Sequence, residues 1–379
     1  MQFSISNRRN HSQSNNICLS NVGYYHVDEE DKFHLAEKDC FAKLKDRKDI
    51  QLPLDLNEGI NQERVDKPYL PASISYMMQW ISTTNPDLKK VDVIMNTNLI
   101  MVSIGNTLID YWKKNWVLEC FMLDGKVYVT ALQSASSAEE EDRYIDRCIM
   151  KLMISILRHA GGEEVEEVKE DEEDKEDEEE KEEKEEEEED DTEDEDEVNP
   201  IILEADPNIS KPRYYGLRFE DVLTTNNEGY NYSVITLQIA GYNVLTRAEI
   251  DCSFNDENVE LKVGLDPRNG FEYCKFRKNK LGETWLQSYY GGIKKVVYGL
   301  RSYEGFINRF FTYFVDEIPD LCKRDWSDVE LTSFVEDVFG WMIGETKEGF
   351  RTRVEYKGDD FIDLSQKEYP EDVLPPWLY

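Results

Sequence analysis

A chain of 379 residues can hold one large domain or two of ordinary size, and its 7 Trp, 16 Phe and 21 Tyr exclude a wholly disordered polymer. The formal net charge of −37 is uneven: residues 163 to 197 carry 28 Asp or Glu against 4 Lys, a local −24 that leaves −13 elsewhere, so a nucleic acid would need a local basic patch or metal ions to hold it. Seven scattered cysteines without a C-x-x-C pair or zinc-spaced histidines, no run near the ~18 apolar residues of a membrane span, and no apolar signal core at the start predict a soluble intracellular protein with reduced thiols.

Residues 1 to about 16 are polar and are expected to form a loose terminus. NVGYYHVDE (21–29) alternates as a strand does. LPLDLNEGI (52–60) reads as an apolar entry into a helical region that continues to Tyr76, Met77, Met78 and Trp80. VDVIMNTNLIMVSIGNTL (91–108), rich in Val and Ile, and VLECFMLDGKVYVTAL (117–132) predict strands, with a turn at Asp124-Gly125. Ile145, Ile149, Leu152 and Ile156 recur at helical spacing within residues 139–160. The acidic run 163–197 cannot bury apolar area and repels itself, so it is expected as a disordered insertion inside one catalytic domain spanning 17–379.

Beyond it, residues 212–225 predict a helix, and 232–254 two strands broken at Gly241. VELKVGL (259–265) and KKVVYGLRS (294–302) predict further strands on either side of a short helix over 280–292. Residues 327–345 form the clearest late helix, with Ser327 or Asp328 as its cap. Strands and helices interleave without a βαβ rhythm, which favours an α+β domain of mixed sheets flanked by helices.

AEIDCSFNDENVELKVG (248–264) raises the question of chemistry. Strand alternation puts Glu249 and Asp251 on one face, and Glu260 and Lys262 on one face. A tight turn at Asn255-Asp256 would set Asp251 opposite Glu260 and Glu249 opposite Lys262. Three carboxylates that close repel unless protons or cations neutralise them, and hard oxygen donors suit Mg²⁺ or Mn²⁺. The alternative is a solvent-facing hairpin with cross-strand charge pairs, which this spacing alone does not exclude.

Taken together with LDLNEG (54–59), GLRFE (216–220), AEIDCSF (248–254), VELK (259–262) and TWLQSYYGGIKKVVYGLR (284–301), in that order, the chain resembles the DXO family of decapping and 5′-3′ RNA-processing nucleases. Its D-x(8)-E-x-K core is similar to that of D/E-x-K nucleases, and the pattern looks closest to the fungal nuclear members that partner an XRN-type exoribonuclease. The resemblance implies Glu220, Glu249, Asp251 and Glu260 as metal ligands, with the Leu261 carbonyl, for Mg or Mn. It implies Lys262 and Gln287 against the scissile phosphate. The family's strand arginine, expected near the 5′ end of the substrate, is replaced at Thr97 or an adjacent Asn.

The expected activity is metal-dependent hydrolysis at abnormal or incomplete RNA 5′ ends, NAD caps included, with nuclear residence or, as the alternative, cytoplasmic. The competing readings are a catalytically weak partner that stabilises an exoribonuclease, and an acidic chaperone working through 163–197. Lys275, Arg277, Lys278 and Lys280 are candidate phosphate contacts, and Tyr289 and Tyr290 candidate stacking residues.

Overall fold

The computed structural model describes residues 1–5, 17–28, 32–60, 75–95, 97–109, 115–131, 211–225 and 229–368. Strands β1 (Gln2–Ser4), β2 (Leu19–Val27), β3 (Phe33–Leu35), β4 (Lys43–Leu44) and β5 (Leu54–Asp55) lead into helix α1 (Ser75–Thr84). After β6 (Val93–Met95) and α2 (Leu99–Ile109) comes the hairpin of β7 (Trp116–Leu123) and β8 (Lys126–Ala131). The chain resumes with α3 (Lys211–Leu223), β9 (Thr224–Thr225), β10 (Tyr230–Ile239), β11 (Tyr242–Glu249), β12 (Cys252–Phe254) and β13 (Glu257–Leu265). A crossover of α4 (Gly270–Lys275), one π-helical stretch (Phe276–Leu281) and α5 (Gly282–Gly291) returns to β14 (Lys295–Arg301) and β15 (Phe306–Phe314). Helices α6 (Ile318–Cys322) and α7 (Asp328–Glu345) and strands β16 (Phe350–Tyr356) and β17 (Phe361–Glu368) complete the order.

Among the described residues the strands form a ten-stranded sheet, β1-β17-β16-β7-β8-β6-β11-β10-β2-β3, and a seven-stranded sheet, β5-β15-β14-β13-β12-β4-β9. Both mix parallel and antiparallel pairs, as in β6–β11 and β10–β11 in the first and β13–β14 and β12–β13 in the second. The largest core joins inward side chains of both sheets, such as Val93, Val244 and Val296, to α2, α5 and α7 through Ile104, Leu286 and Phe339. The outer face of the larger sheet is covered by α1 through Trp80 and Met77. On the far face of the smaller sheet, α3 packs through Phe219 and Leu223. This is the α+β arrangement of mixed sheets and flanking helices that the sequence predicts. No helix among the described residues is long and apolar enough to cross a membrane.

Three hairpins are closed by two-residue loops in the left-handed region. These are Asp124-Gly125 (φ 50° and 68°), Ala240-Gly241 (51° and 85°) and Asn255-Asp256 (50° and 61°). Such loops match the right-handed twist of the strands they join, and Gly, Asn and Asp tolerate the conformation best.

Several elements differ from expectation. Residues 99–109 are helix α2, not strand. Ile100, Met101, Val102, Ile104 and Ile109 are all buried, and only Ser103, Asn106 and Thr107 mark a narrow polar stripe at the helical period in a run otherwise rich in Val and Ile. Residues 52–60 make the short strand β5 and a turn before α1, rather than a helical entry. At the amino end, Gln2–Ser4 pair with β17, where the composition suggested a loose terminus. The expected helix within 139–160 and the acidic run 163–197 lie outside the described residues.

Candidate active site

The segment 248–264 is not one continuous hairpin. Glu249 ends β11 in the larger sheet, opposite Tyr232 of β10, and the Ile250 amide still donates to the Asn231 carbonyl at 2.8 Å. Two residues beyond Ile250 the chain joins the smaller sheet, where Cys252 pairs with Val259 and Phe254 with Glu257. Extended by one step, that register sets Asp251 level with Glu260, as the turn chemistry predicts, although the ladder itself starts at Cys252. Glu249 and Asp251 therefore flank the point where the backbone changes sheets.

Asp251 is held by its own hairpin, because Oδ2 accepts from the Leu261 amide at 2.6 Å. A strand residue projects its N–H and C=O to the same side, so the Leu261 carbonyl also points to this edge, away from β14. Glu260 is buried, and its Oε1 accepts from Lys262 Nζ at 2.5 Å and from Gln287 Nε2 at 2.8 Å. Its Oε2 is also buried but has no hydrogen-bond partner among the described residues.

The crossover between the parallel strands β13 and β14 carries α5, which brings Gln287 within hydrogen-bonding distance of Glu260 on β13. Asn98, at the start of α2, fixes that helix by donating to the Gln287 carbonyl at 3.0 Å. Glu220 comes from α3, which packs on β13.

The electrostatics identify one cluster. Burial, then the Glu260 and Glu220 charges, raise the Asp251 carboxyl well above the usual carboxylate range, and Glu249 adds to this. Burial alone would discharge Lys262, but Glu260 and Asp251 outweigh it and keep the ammonium charged. Burial and the same acids push the Cys252 thiol up, so it offers no thiolate nucleophile. The structure thus brings together Glu220, Glu249, Asp251, Glu260, Lys262 and Gln287.

Thr97 is buried at the head of α2, where its hydroxyl accepts from the Leu99 amide at 3.2 Å. Two neighbours that sequence reading missed are Glu283 and Tyr298. Glu283 acts electrostatically on Lys262 and lies one helical turn before Gln287, and Tyr298 is level with Lys262 across β13–β14. The i, i+4 spacing of Glu283 and Gln287 was the available signal.

Among the described residues no three His, Cys, Asp or Glu side chains stand in a ready-made ligand shell. The donor chemistry nevertheless fits a hard divalent cation. The buried Glu260 Oε2 lacks a partner, an acid beside it is driven toward its protonated form, and both conditions are relieved by a cation such as Mg²⁺ or Mn²⁺. Leaving such an oxygen unsatisfied costs about 1–3 kcal/mol or more.

Of the four candidate phosphate contacts, Arg277 is paired with Asp325 at 3.0 Å, Lys280 approaches Glu283 at 3.8 Å, and Lys275 lies over the Phe271 ring. Tyr290 is fully buried and Tyr289 stacks on Trp285 at 4.8 Å, so both tyrosines serve packing.

Comparison with known proteins finds relatives of this chain. Residues 166–379 match the family model described as RAI1 like PD-(D/E)XK nuclease. The decapping and exoribonuclease protein of Xenopus laevis is 30% identical over 114 residues, 28% of this chain and 28% of that protein. The decapping nuclease RAI1 of Aspergillus fumigatus is 26% identical over 148 residues, 36% of this chain and 40% of that protein. The chain thus spans well under half the length of these two relatives. The crystal structure of Candida albicans Rai1 in complex with pU5-Mn²⁺ superposes with a TM-score of 0.67 at 16% identity, covering 100% of this chain and 98% of that one. With more than half of its length matched by the family model, and with the Asp251, Glu260 and Lys262 constellation inside that match, the chain belongs to the RAI1-like PD-(D/E)XK nuclease family.

Proposed function

We propose that this protein is a divalent-metal-dependent hydrolase of RNA 5′ ends, acting on incompletely or abnormally capped transcripts. The observation that carries the reading is the Glu260 carboxylate, buried between Lys262 and Gln287 with one oxygen unpartnered, beside a proton-retaining Asp251. The RNA and manganese bound by the Candida albicans relative support it.

Glu220, Glu249, Asp251, Glu260 and the Leu261 carbonyl would hold Mg²⁺ or Mn²⁺. Such an ion, when bound, supplies a nucleophilic water at neutral pH and neutralises charge on the phosphate. Lys262 keeps its ammonium charged beside Glu260, so it can stabilise negative charge developing on a phosphate oxygen. Gln287 fixes the Glu260 oxygen through its amide and orients the carboxylate. The Leu261 amide does the same for Asp251. The raised Cys252 thiol, the cysteine of this cluster, offers no thiolate, which supports water as the attacking group.

The test is incubation of triphosphorylated, unmethylated-capped and NAD-capped RNAs with Mn²⁺, using wild type and an Asp251→Ala, Glu260→Ala double variant. Release of a 5′-monophosphate end by wild type and its loss by at least a hundredfold in the variant are expected, as for removal of major transition-state contacts of about 2.7–4 kcal/mol. No product from wild type, or equal product from both, would overturn the enzyme reading in favour of a non-catalytic partner.

A further inference from the structure

Tyr298 carries a hydroxyl that has no use within the described part of the fold. The residue is 2% exposed and stands level with Lys262 across β13–β14. Its oxygen makes no hydrogen bond among the described residues, and it is not sealed from solvent as the Tyr290 oxygen is. The ring is held edge-on from two sides, by Phe276 at 5.1 Å and Tyr313 at 6.4 Å. Gly264 locates its tip, because a Cβ there would lie 2.9 Å from the hydroxyl and 3.0 Å from a ring carbon. A glycine inside a strand often marks such a close approach. Holding a polar group without a partner is unfavourable, and a phenylalanine would fill the same space.

The position gives the hydroxyl a purpose. Alternation along β13 puts Glu260, Lys262 and Gly264 on one face. The Lys262 ammonium turns back to Glu260 at 2.5 Å, while the Tyr298 hydroxyl ends over Gly264, so the two donors point apart along the strand. This face is open, since the Lys262 side chain is 32% exposed and Gly264 is half-buried. Two residues of strand measure about 7 Å, within the reach of a phosphate and its own ribose. Charge decides what the hydroxyl meets. Burial raises the phenol, so it stays protonated; Lys262 opposes that rise, and the Glu283 carboxylate and Tyr313 add to it. A second phosphate here would be drawn by Lys262 but repelled by Glu283. A ribose 2′-hydroxyl escapes the repulsion, and it both donates and accepts.

Resting on the RNA-hydrolase reading, we infer that Tyr298 is a specificity-determining residue whose hydroxyl hydrogen-bonds the 2′-hydroxyl of the nucleotide held by its phosphate at Lys262. A deoxyribose at that place leaves the phenol unpaired beside Lys262. Sites built to pair with a substrate hydroxyl reject analogues that lack it, so one tyrosine selects ribose over deoxyribose at one position of the bound strand. Gly264 serves the same end by keeping the space over β13 clear for the tip of the ring.

The test is equilibrium binding, in Ca²⁺, of short fluorescent oligouridylates that are all ribose or carry one 2′-deoxyuridine at successive positions from the 5′ end. They are titrated with the full chain and with its Tyr298→Phe and Gly264→Ala variants. Wild type is expected to lose about fivefold in affinity at one of those positions, the scale of one neutral hydrogen bond. Tyr298→Phe, which removes the oxygen and keeps the ring, should reduce that loss to less than about twofold. Gly264→Ala, which keeps the oxygen but displaces it, should reduce the loss as well. Indifference of wild type at every position, or an undiminished loss in Tyr298→Phe, would overturn the inference. Equal weakening of every RNA in Tyr298→Phe, with the sugar preference intact, also overturns it, because the hydroxyl would then serve a phosphate. Should the phenylalanine variant not fold, an undiminished loss in Gly264→Ala decides against it. Because the readout is binding, absent hydrolysis bears on the enzyme reading alone, and a hydrolysing wild type indifferent to every deoxy substitution overturns this inference alone.

Discussion

Asp251 sits in surroundings that oppose its charged form. Burial and the nearby Glu260 and Glu220 charges raise its pKa, so the folded protein binds this proton more tightly than the unfolded chain does. The contribution to stability is then fullest below the ordinary carboxylate value of about 4 and is lost as the pH climbs through the raised folded value. In chelator, thermal denaturation followed from that range to neutrality should show the midpoint falling with pH. Asp251→Asn should flatten the fall and raise the neutral-pH midpoint by about 2–4 °C for each kcal/mol recovered in a chain of this size. A slope identical in the variant would place the buried proton elsewhere. The carboxylates of this cluster were legible in the sequence because the Asn255-Asp256 turn fixes the register that levels Asp251 with Glu260. Tyr298 was not legible, since only the parallel pairing of β13 with β14 sets it level with Lys262.

At the scale of elements, the site depends on how closely α3 approaches the smaller sheet. Gly299 on β14 makes that approach possible, because a Cβ there would meet Ile307 at 2.8 Å and the Phe219 ring at 2.9 Å. Phe219 adjoins Glu220, so Gly299→Ala should lift the helix that carries this acid. The expected cost is about 1–3 kcal/mol of stability, as for overpacking, with a lower apparent affinity for Mn²⁺. A denaturation curve and a metal titration measure both, and wild-type values in each would show that the helix yields without moving Glu220. Sequence reading recovered the hairpins and the helices α3, α5 and α7, whose punctuation is local. It missed α2, because the polar stripe of Ser103, Asn106 and Thr107 is narrow in a run rich in Val and Ile, and what holds the helix is its packing. Gly105 shows this, since a Cβ there would lie 2.6 Å from Leu286 of α5.

For the whole molecule, the dominant quantity is the net charge of −37, about two thirds of which lies in residues 163–197. None of the candidate site residues comes from that run, so its deletion should leave hydrolysis per bound RNA unchanged. Like-charge repulsion should fall, and RNA affinity at low salt should rise severalfold, the gain fading as ionic strength shortens the screening length to about 8 Å near 0.15 M. Affinity measured across a salt series on both proteins decides this, and a loss of RNA binding or of turnover on deletion would assign the run a direct role.

The backbone leaves one sheet at Glu249 and enters the other at Cys252, with Asp251 in the step between them. Glu249 and Glu260 therefore belong to two different plates, joined by a link of two residues. A cation held by both acids, as proposed, would act as a rivet through those plates, its binding energy resisting their sliding as well as neutralising charge. Such a ligand would favour only the state in which the plates are aligned, so the proposed metal site would also be the mechanical seam between the two sheets.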